Sequence, residues 1–117
     1  MEISVRGFGE IEIEGHCHRH DVVIDRGEVR KRRKKNSRPY QRRYGHTPLS
    51  AGEDIPWSGQ RLIIGTGLYG RLPVMPEVIE ESKRRGVEVV AVPTRDACEI
   101  ISDEENENVC AILHVTC

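Results

Sequence analysis

Apolar and polar residues alternate from the start of the chain, with Ile3 and Val5, then Ile11 and Ile13, each set between polar neighbours. A period of two places such residues on one face of an extended strand, so the pattern predicts two half-buried strands. Turns fall near Gly7 to Gly9 and at Glu14-Gly15. DVVID, Asp21 to Asp25, predicts another strand, Arg26-Gly27 a turn, and Val29 the opening of a strand that runs into RKRRKK. From Asn36 to Pro48 no apolar period survives, and Pro39, Gly45 and Pro48 punctuate an irregular arm. Ser50 and Glu53 have the spacing of a capping box, but Gly52 and Pro56 leave room only for a short helical turn.

The second half is more regular. RLIIG, Arg61 to Gly65, predicts a strand. PEVIEESKRRG predicts a helix, with Pro76 near its first position, acids early, Lys83-Arg84-Arg85 late and Gly86 as its stop. VEVVAV, Val87 to Val92, then forms a strand reached by a crossover and so parallel to the one at Arg61. Thr94 is positioned to cap a helix through Ile101, the acidic SDEENEN reads as a loop, and VCAILHV as a last strand. The elements sum to an α/β fold: one layered β/β/α domain over residues 1–117, with a mixed central sheet and helices packed on one side.

Composition narrows the function classes. One Trp, one Phe and three Tyr leave the core to aliphatic residues. No stretch approaches the ~18 apolar residues of a membrane span, and MEISVRGF lacks the basic and apolar regions of a signal peptide, so a soluble cytoplasmic protein is expected. Cys17, Cys98, Cys110 and Cys117 are scattered and include no CxxC, which predicts reduced thiols. Charge is distributed unevenly. Arg26 to His46 carry ten Lys or Arg against one acid, a net +9, while the rest of the chain carries eight against eighteen, a net −10. The basic arm, Arg26 to Arg43, with Tyr40 and Tyr44 interleaved, could meet the phosphates and bases of a nucleic acid, a smaller anion, or a protein partner.

Two local motifs point to chemistry. GTGLYG, Gly65 to Gly70, matches a dinucleotide fingerprint after a strand. Pro73 and Pro76, however, delay the helix, and VVAVPT lacks the acid expected ~20 residues on, so no nicotinamide cofactor is expected. Its glycines remain compatible with a smaller anion on backbone N–H groups. In GHCHRH, Gly15 to His20, the side chains of His16, His18 and His20 share one strand face and those of Cys17 and Arg19 the other. The pair His-x-His could chelate, but no spacing supplies a third ligand, and no resident metal is expected. An enzyme built on His114 and Cys117 is disfavoured because residues three apart on a strand face opposite ways.

IIGTG at Ile63 to Gly67, the helix from Pro76 to Gly86, PT-x-x-A at Pro93 to Ala97 and the terminal HVTC carry a resemblance. HDVVI at His20 to Ile24, RRKK-x-S at Arg32 to Ser37, and YG with HTP at Tyr44 to Pro48 extend it. The chain resembles the Mth-domain family, whose members include an adipogenesis-associated protein and a mitochondrial complex I assembly factor. That resemblance implies a compact layered domain with no established catalytic activity, and leaves only His20 of the histidine stretch at a family position. The leading expectation is a small non-enzymatic binding or assembly-type domain, without a cofactor. In it Arg33, Lys34, His46 and Arg71, with the backbone of Gly65, Thr66 and Gly67, line one anion-binding concavity at the sheet's carboxyl edge. A nucleic-acid-binding module using the same arm is the alternative.

Overall fold

The computed structural model describes residues 1–117 as a mixed α/β fold of eight strands in two sheets. β1 (Ile3–Gly7), β2 (Glu10–Ile13) and β3 (His16–His18) form a small antiparallel sheet in that order. β4 (Val22–Asp25), β5 (Glu28–Lys31), β6 (Arg61–Gly65), β7 (Glu88–Val92) and β8 (Cys110–Leu113) form the central sheet, ordered β5-β4-β8-β6-β7. β4 runs antiparallel to β5 and β8, whereas β8, β6 and β7 run parallel. Three hairpins close on two-residue turns, Phe8-Gly9, Glu14-Gly15 and Arg26-Gly27, and in the last two both residues have positive φ. That is the turn whose twist matches paired strands.

Alternation along the strands separates two apolar layers. Val22 and Ile24, Ile63, and Ala111 and Leu113 face a core shared with Ile11 and Ile13 of the small sheet. Val23, Leu62, Ile64 and Ile112 face the other way, toward Leu49, Ile55, Leu72 and Val78. Of the helices, α1 (Gln41–Tyr44) is a single turn in the arm, while α2 (Pro76–Arg85) and α3 (Thr94–Ser102) pack on the central sheet. They do not share a side. Val78 of α2 belongs to one core, and Ala97, Cys98 and Ile101 of α3 to the other. The strand order supplies the reason. β6 to β7 moves outward and β7 to β8 moves back across β6, and right-handed crossovers in opposite directions put their helices on opposite faces.

Four local readings are revised. The arm contains a 3-10 turn at Arg38–Tyr40 and then α1, which Gly45 ends in the left-handed region. Ser50 and Glu53 start no helix, because the Glu53 carboxylate is turned into the protein. Thr94 is the first residue of α3 and not its cap. Its Oγ1 accepts the Gly67 N–H at 2.8 Å and donates to the His114 carbonyl at 2.6 Å. The final strand ends at Leu113, and the residues after it lie across the loop that follows β6. The Leu68 N–H donates to the Thr116 oxygen, and the N–H groups of Tyr69 and Arg71 to the Cys117 oxygen.

Gly67 is the point of closest approach. Its φ is +108°, and a Cβ there would stand 2.4 Å from the Cys117 main-chain carbon and 2.8 Å from His114 Cδ2. A β-branched side chain would meet both backbone strain and backbone atoms that have no way to retreat. Gly67→Val is expected to cost at least about 3 kcal/mol, read as a lowered urea midpoint with an unchanged slope.

Candidate functional site

Three strands bring charged residues into one row at an end of the central sheet. Val22 pairs with Lys31 on one side and Leu113 on the other, so the preceding residue, Asp21, falls between Arg32 and His114. The Arg32 N–H donates to the Asp21 carbonyl at 2.9 Å and continues the hairpin by one step. Here the strands have run out of apolar residues, and the side chains that follow are polar but still covered.

Arg32 is only 2% exposed and every arm of its guanidinium is used. Nε and Nη2 donate to the two Glu53 oxygens, each at 2.8 Å, in a bidentate pair. Nη1 donates to Asp21 Oδ2 at 2.9 Å, and Nη2 also reaches the Pro48 carbonyl at 3.0 Å. Ser37 Oγ donates to Glu53 and lies 2.7 Å from Ser50 Oγ. Asp21 Oδ2 also accepts from His114 Nδ1 at 2.8 Å and lies 3.4 Å from Lys34 Nζ, while Oδ1 accepts the Val115 N–H at 2.9 Å. No buried side-chain nitrogen or oxygen lacks a partner.

These contacts set protonation. Burial pushes the Asp21 carboxyl up, but the His114 hydrogen bond, the nearby charge of Lys34 and the Val115 N–H outweigh it and hold the group well below the usual carboxylate range. Burial likewise favours loss of the Arg32 charge, and Glu53 and Asp21 more than reverse that tendency. Both therefore stay charged at neutral pH.

Asp21 and Arg32 of this row line a concavity of about 640 Å³, together with Arg19, Lys31, Arg33, Lys34, Lys35, Arg38, Val115 and Thr116. Asp21 is its one acid and is already saturated. Lys31, Arg33, Lys35 and Arg38 have no carboxylate within 4 Å. A second concavity, about 610 Å³, opens on the opposite end of the central sheet. It mixes Arg26 and Arg61 with Glu88, Glu104 and Glu107, and so offers no field of one sign.

Of the residues expected from the sequence, the structure brings Arg33 and Lys34 together here and leaves His46, Arg71 and the glycine loop outside the walls. His46 and Arg71 are exposed. The loop cannot serve an anion because its donors are spent: Thr66 N–H on the Val92 carbonyl, Gly67 N–H on Thr94, and those from Leu68 through Leu72 on main-chain oxygens. Gly65 is required by packing, since a Cβ would stand 2.8 Å from Leu113 Cδ2. Arg26 donates to the Ser58 carbonyl and Arg30 to Asp54, which removes the start of the basic arm from the concavity. In the histidine stretch, the His18 and His20 rings meet edge to face at 5.8 Å, and Cys17 donates to Glu10. No group of three or more His, Cys, Asp or Glu is arranged around a metal position. Asp21, Arg32, Glu53, His114 and Thr116 were not among the expected residues. For the first two a signal existed: counting back from the Arg26-Gly27 turn places them opposite one another.

Residues 3–114 match the family described as Protein of unknown function (DUF498/DUF598). The chain belongs to that family. Two solved structures share its fold. A conserved hypothetical protein, PH1505, from Pyrococcus horikoshii OT3 is 29% identical, with all of both chains covered and a TM-score of 0.77. The protein MT938 is 26% identical over 98% of this chain and 97% of its own, with a TM-score of 0.73. No curated protein matches. No helix is long and apolar enough to cross a membrane.

Removing one member of a buried ion group strands the rest, at a typical cost of about 3–5 kcal/mol. Arg32→Leu should lose that much in urea titration, and Arg32→Leu with Glu53→Leu should lose less than the two single variants together. The depressed Asp21 carboxyl stabilises the fold at all pH above its unfolded value of about 3.9. That contribution disappears as pH falls below about 4 toward the native value. Asp21→Asn should be less stable at pH 7 and show a shallower acid-induced loss than the parent.

Proposed function

We propose that this chain is a cytoplasmic binding or assembly-type domain of the Mth-domain kind, spanning residues 1–117, that takes a phosphate-bearing ligand in the basic concavity. One observation carries the reading: four cations, Lys31, Arg33, Lys35 and Arg38, surround a concavity without a carboxylate partner, over a floor whose only acid is already saturated. Crowded like charges repel one another, and a bound anion relieves that repulsion. Lys34, 3.4 Å from Asp21 Oδ2 and one-third exposed, can turn between the floor and a ligand. The pocket expected to combine the arm with His46, Arg71 and the glycine loop thus becomes the arm with Thr116 and Val115.

A second reading, a single-stranded nucleic acid on the same surface, is favoured by the exposed aromatics. Phe8, Tyr40 and Tyr69 are the exposed large apolar side chains, and each belongs to a segment tied to the concavity. The turn carrying Phe8 donates from Gly9 N–H to the Val115 oxygen, the loop carrying Tyr69 donates from Leu68 N–H to the Thr116 oxygen, and Tyr40 shares the 3-10 turn with Arg38. Phe8 and Tyr69 have ring centroids 6.5 Å apart. A cationic groove with aromatic platforms suits stacked bases.

Calorimetric titration with inorganic phosphate and fluorescence titration with a short oligonucleotide separate the two readings. The small-anion reading expects Arg33→Ala or Lys34→Ala to weaken phosphate binding about tenfold or more, a loss of about 1.4 kcal/mol. Arg42→Ala and Arg43→Ala, which lie outside the walls, should have little effect. Small equal losses across all four, with log K for the oligonucleotide falling by about 0.7 per neutralised phosphate against log salt, would favour the nucleic acid.

A further inference from the structure

Behind the concavity wall the charged row continues into a hydrogen-bonded chain. Asp21 Oδ2 accepts from His114 Nδ1 at 2.8 Å, and on the far side of the ring His114 Nε2 lies 3.2 Å from Thr116 Oγ1. Arg32 and Lys34 keep Asp21 ionised, so the carboxylate is an acceptor only and Nδ1 must carry the hydrogen. In the neutral imidazole Nε2 then presents a lone pair to the Thr116 hydroxyl. Thr116 itself lines the concavity, while the His114 side chain is 12% exposed and cannot slip away from its partners. A hydroxyl on a base that is oriented by a buried carboxylate is the arrangement that activates an alcohol nucleophile. Thr116 lies two residues beyond His114, past the end of β8, and its hydroxyl meets the ring there.

We propose that Thr116 is the nucleophile of a phosphoryl-transfer site acting on phosphate monoesters, with His114 as its general base and Asp21 as the positioning residue. The assignment rests on the anion-binding reading for the phosphoryl group's place and adds chemistry to it. Thr116 Oγ1 attacks phosphorus as the ester P–O bond breaks. The hydroxyl proton passes to His114 Nε2, and the departing oxygen, in line on the far side of phosphorus, takes a proton from solvent and leaves as an alcohol. Water then attacks the phosphothreonine in line and loses its proton to solvent, and as the P–Oγ1 bond breaks the imidazolium returns its proton to Thr116. Monoester and water become alcohol and inorganic phosphate. Arg33 and Lys35, on the walls, face the charge on the non-bridging oxygens.

The test uses p-nitrophenyl phosphate, whose good leaving group makes few demands on a specificity pocket. Nitrophenolate release and the intact mass after an acid quench are recorded, with phosphate binding measured calorimetrically on the same wild-type protein. Turnover is expected in the wild type and in Thr116→Ser, with a phosphoryl group on residue 116. Thr116→Val and His114→Gln should lose about 100-fold or more, and the rise of rate with pH should vanish in the latter. Asp21→Asn, for which a folded circular-dichroism spectrum is required, should lower kcat more than it raises KM and move the His114 proton from Nδ1 in ¹⁵N spectra. Turnover by Thr116→Val at the wild-type rate overturns the proposal. So does a wild-type protein that binds phosphate but releases no nitrophenolate and gains no mass. A wild type that neither binds phosphate nor turns over the ester overturns the anion-binding reading with it.

Discussion

A guanidinium with 2% exposure is the constraint around which this fold is organised. Taking Arg32 out of water is expensive, and the interior compensates only if every N–H meets an acceptor in good geometry. Meeting that condition draws together parts of the chain that share no strand: Asp21 ahead of β4, Pro48 and Glu53 in the connection to β6, and Ser37 and Ser50 around the Glu53 carboxylate. The irregular stretch between β5 and β6 thereby acquires a defined path without regular structure of its own. An apolar side chain of similar size would cost less to bury. It would not dictate where Glu53 and Asp21 sit, and Asp21 is the group that in turn fixes His114.

The same end of the sheet explains why the concavity is polar. The apolar residues of β4 and β8 fill two cores and then stop at one row, where Asp21 stands between His114 and Arg32. Structure and chemistry are therefore separated along each strand by a single residue. The glycine loop beside that row is closed over by Thr116 and Cys117, whose oxygens take the N–H groups of Leu68, Tyr69 and Arg71, and the cations of the arm remain as the exposed electrostatic feature.

Much of the fold was legible because alternation and capping are local. The strands at Ile3, Ile11, Val22 and Arg61, and the helix from Pro76 to Gly86, follow from residues a few positions apart. The division of the helices between two faces was not legible, since it depends on β8 lying between β4 and β6, which no local pattern states. The site was read half correctly for a related reason. Arg33 and Lys34 advertise themselves by charge density. Glu53 looked like a helix cap because its spacing to Ser50 is local, whereas its partner Arg32 lies 21 residues away. His114 and Thr116 were invisible as a pair with Asp21 because the Asp21–His114 contact spans 93 residues. The Asp21–Arg32 contact, only 11 residues apart across a two-residue turn, was within reach of register counting.

Those sequence separations bear on the order in which the molecule assembles. The three hairpins close over short loops and can form early, while the contacts of Val115 with Gly9 and Asp21 join positions roughly a chain length apart. Loop-closure entropy defers such contacts until the sheets have already met. Formed in that order, an intermediate holding the three hairpins and the β6-α2-β7 unit still lacks the Val115 and Thr116 lining of the concavity and the His114 imidazole. A ligand that needs this assembled surface stabilises the native state by as much as it binds there better than to the unfolded chain.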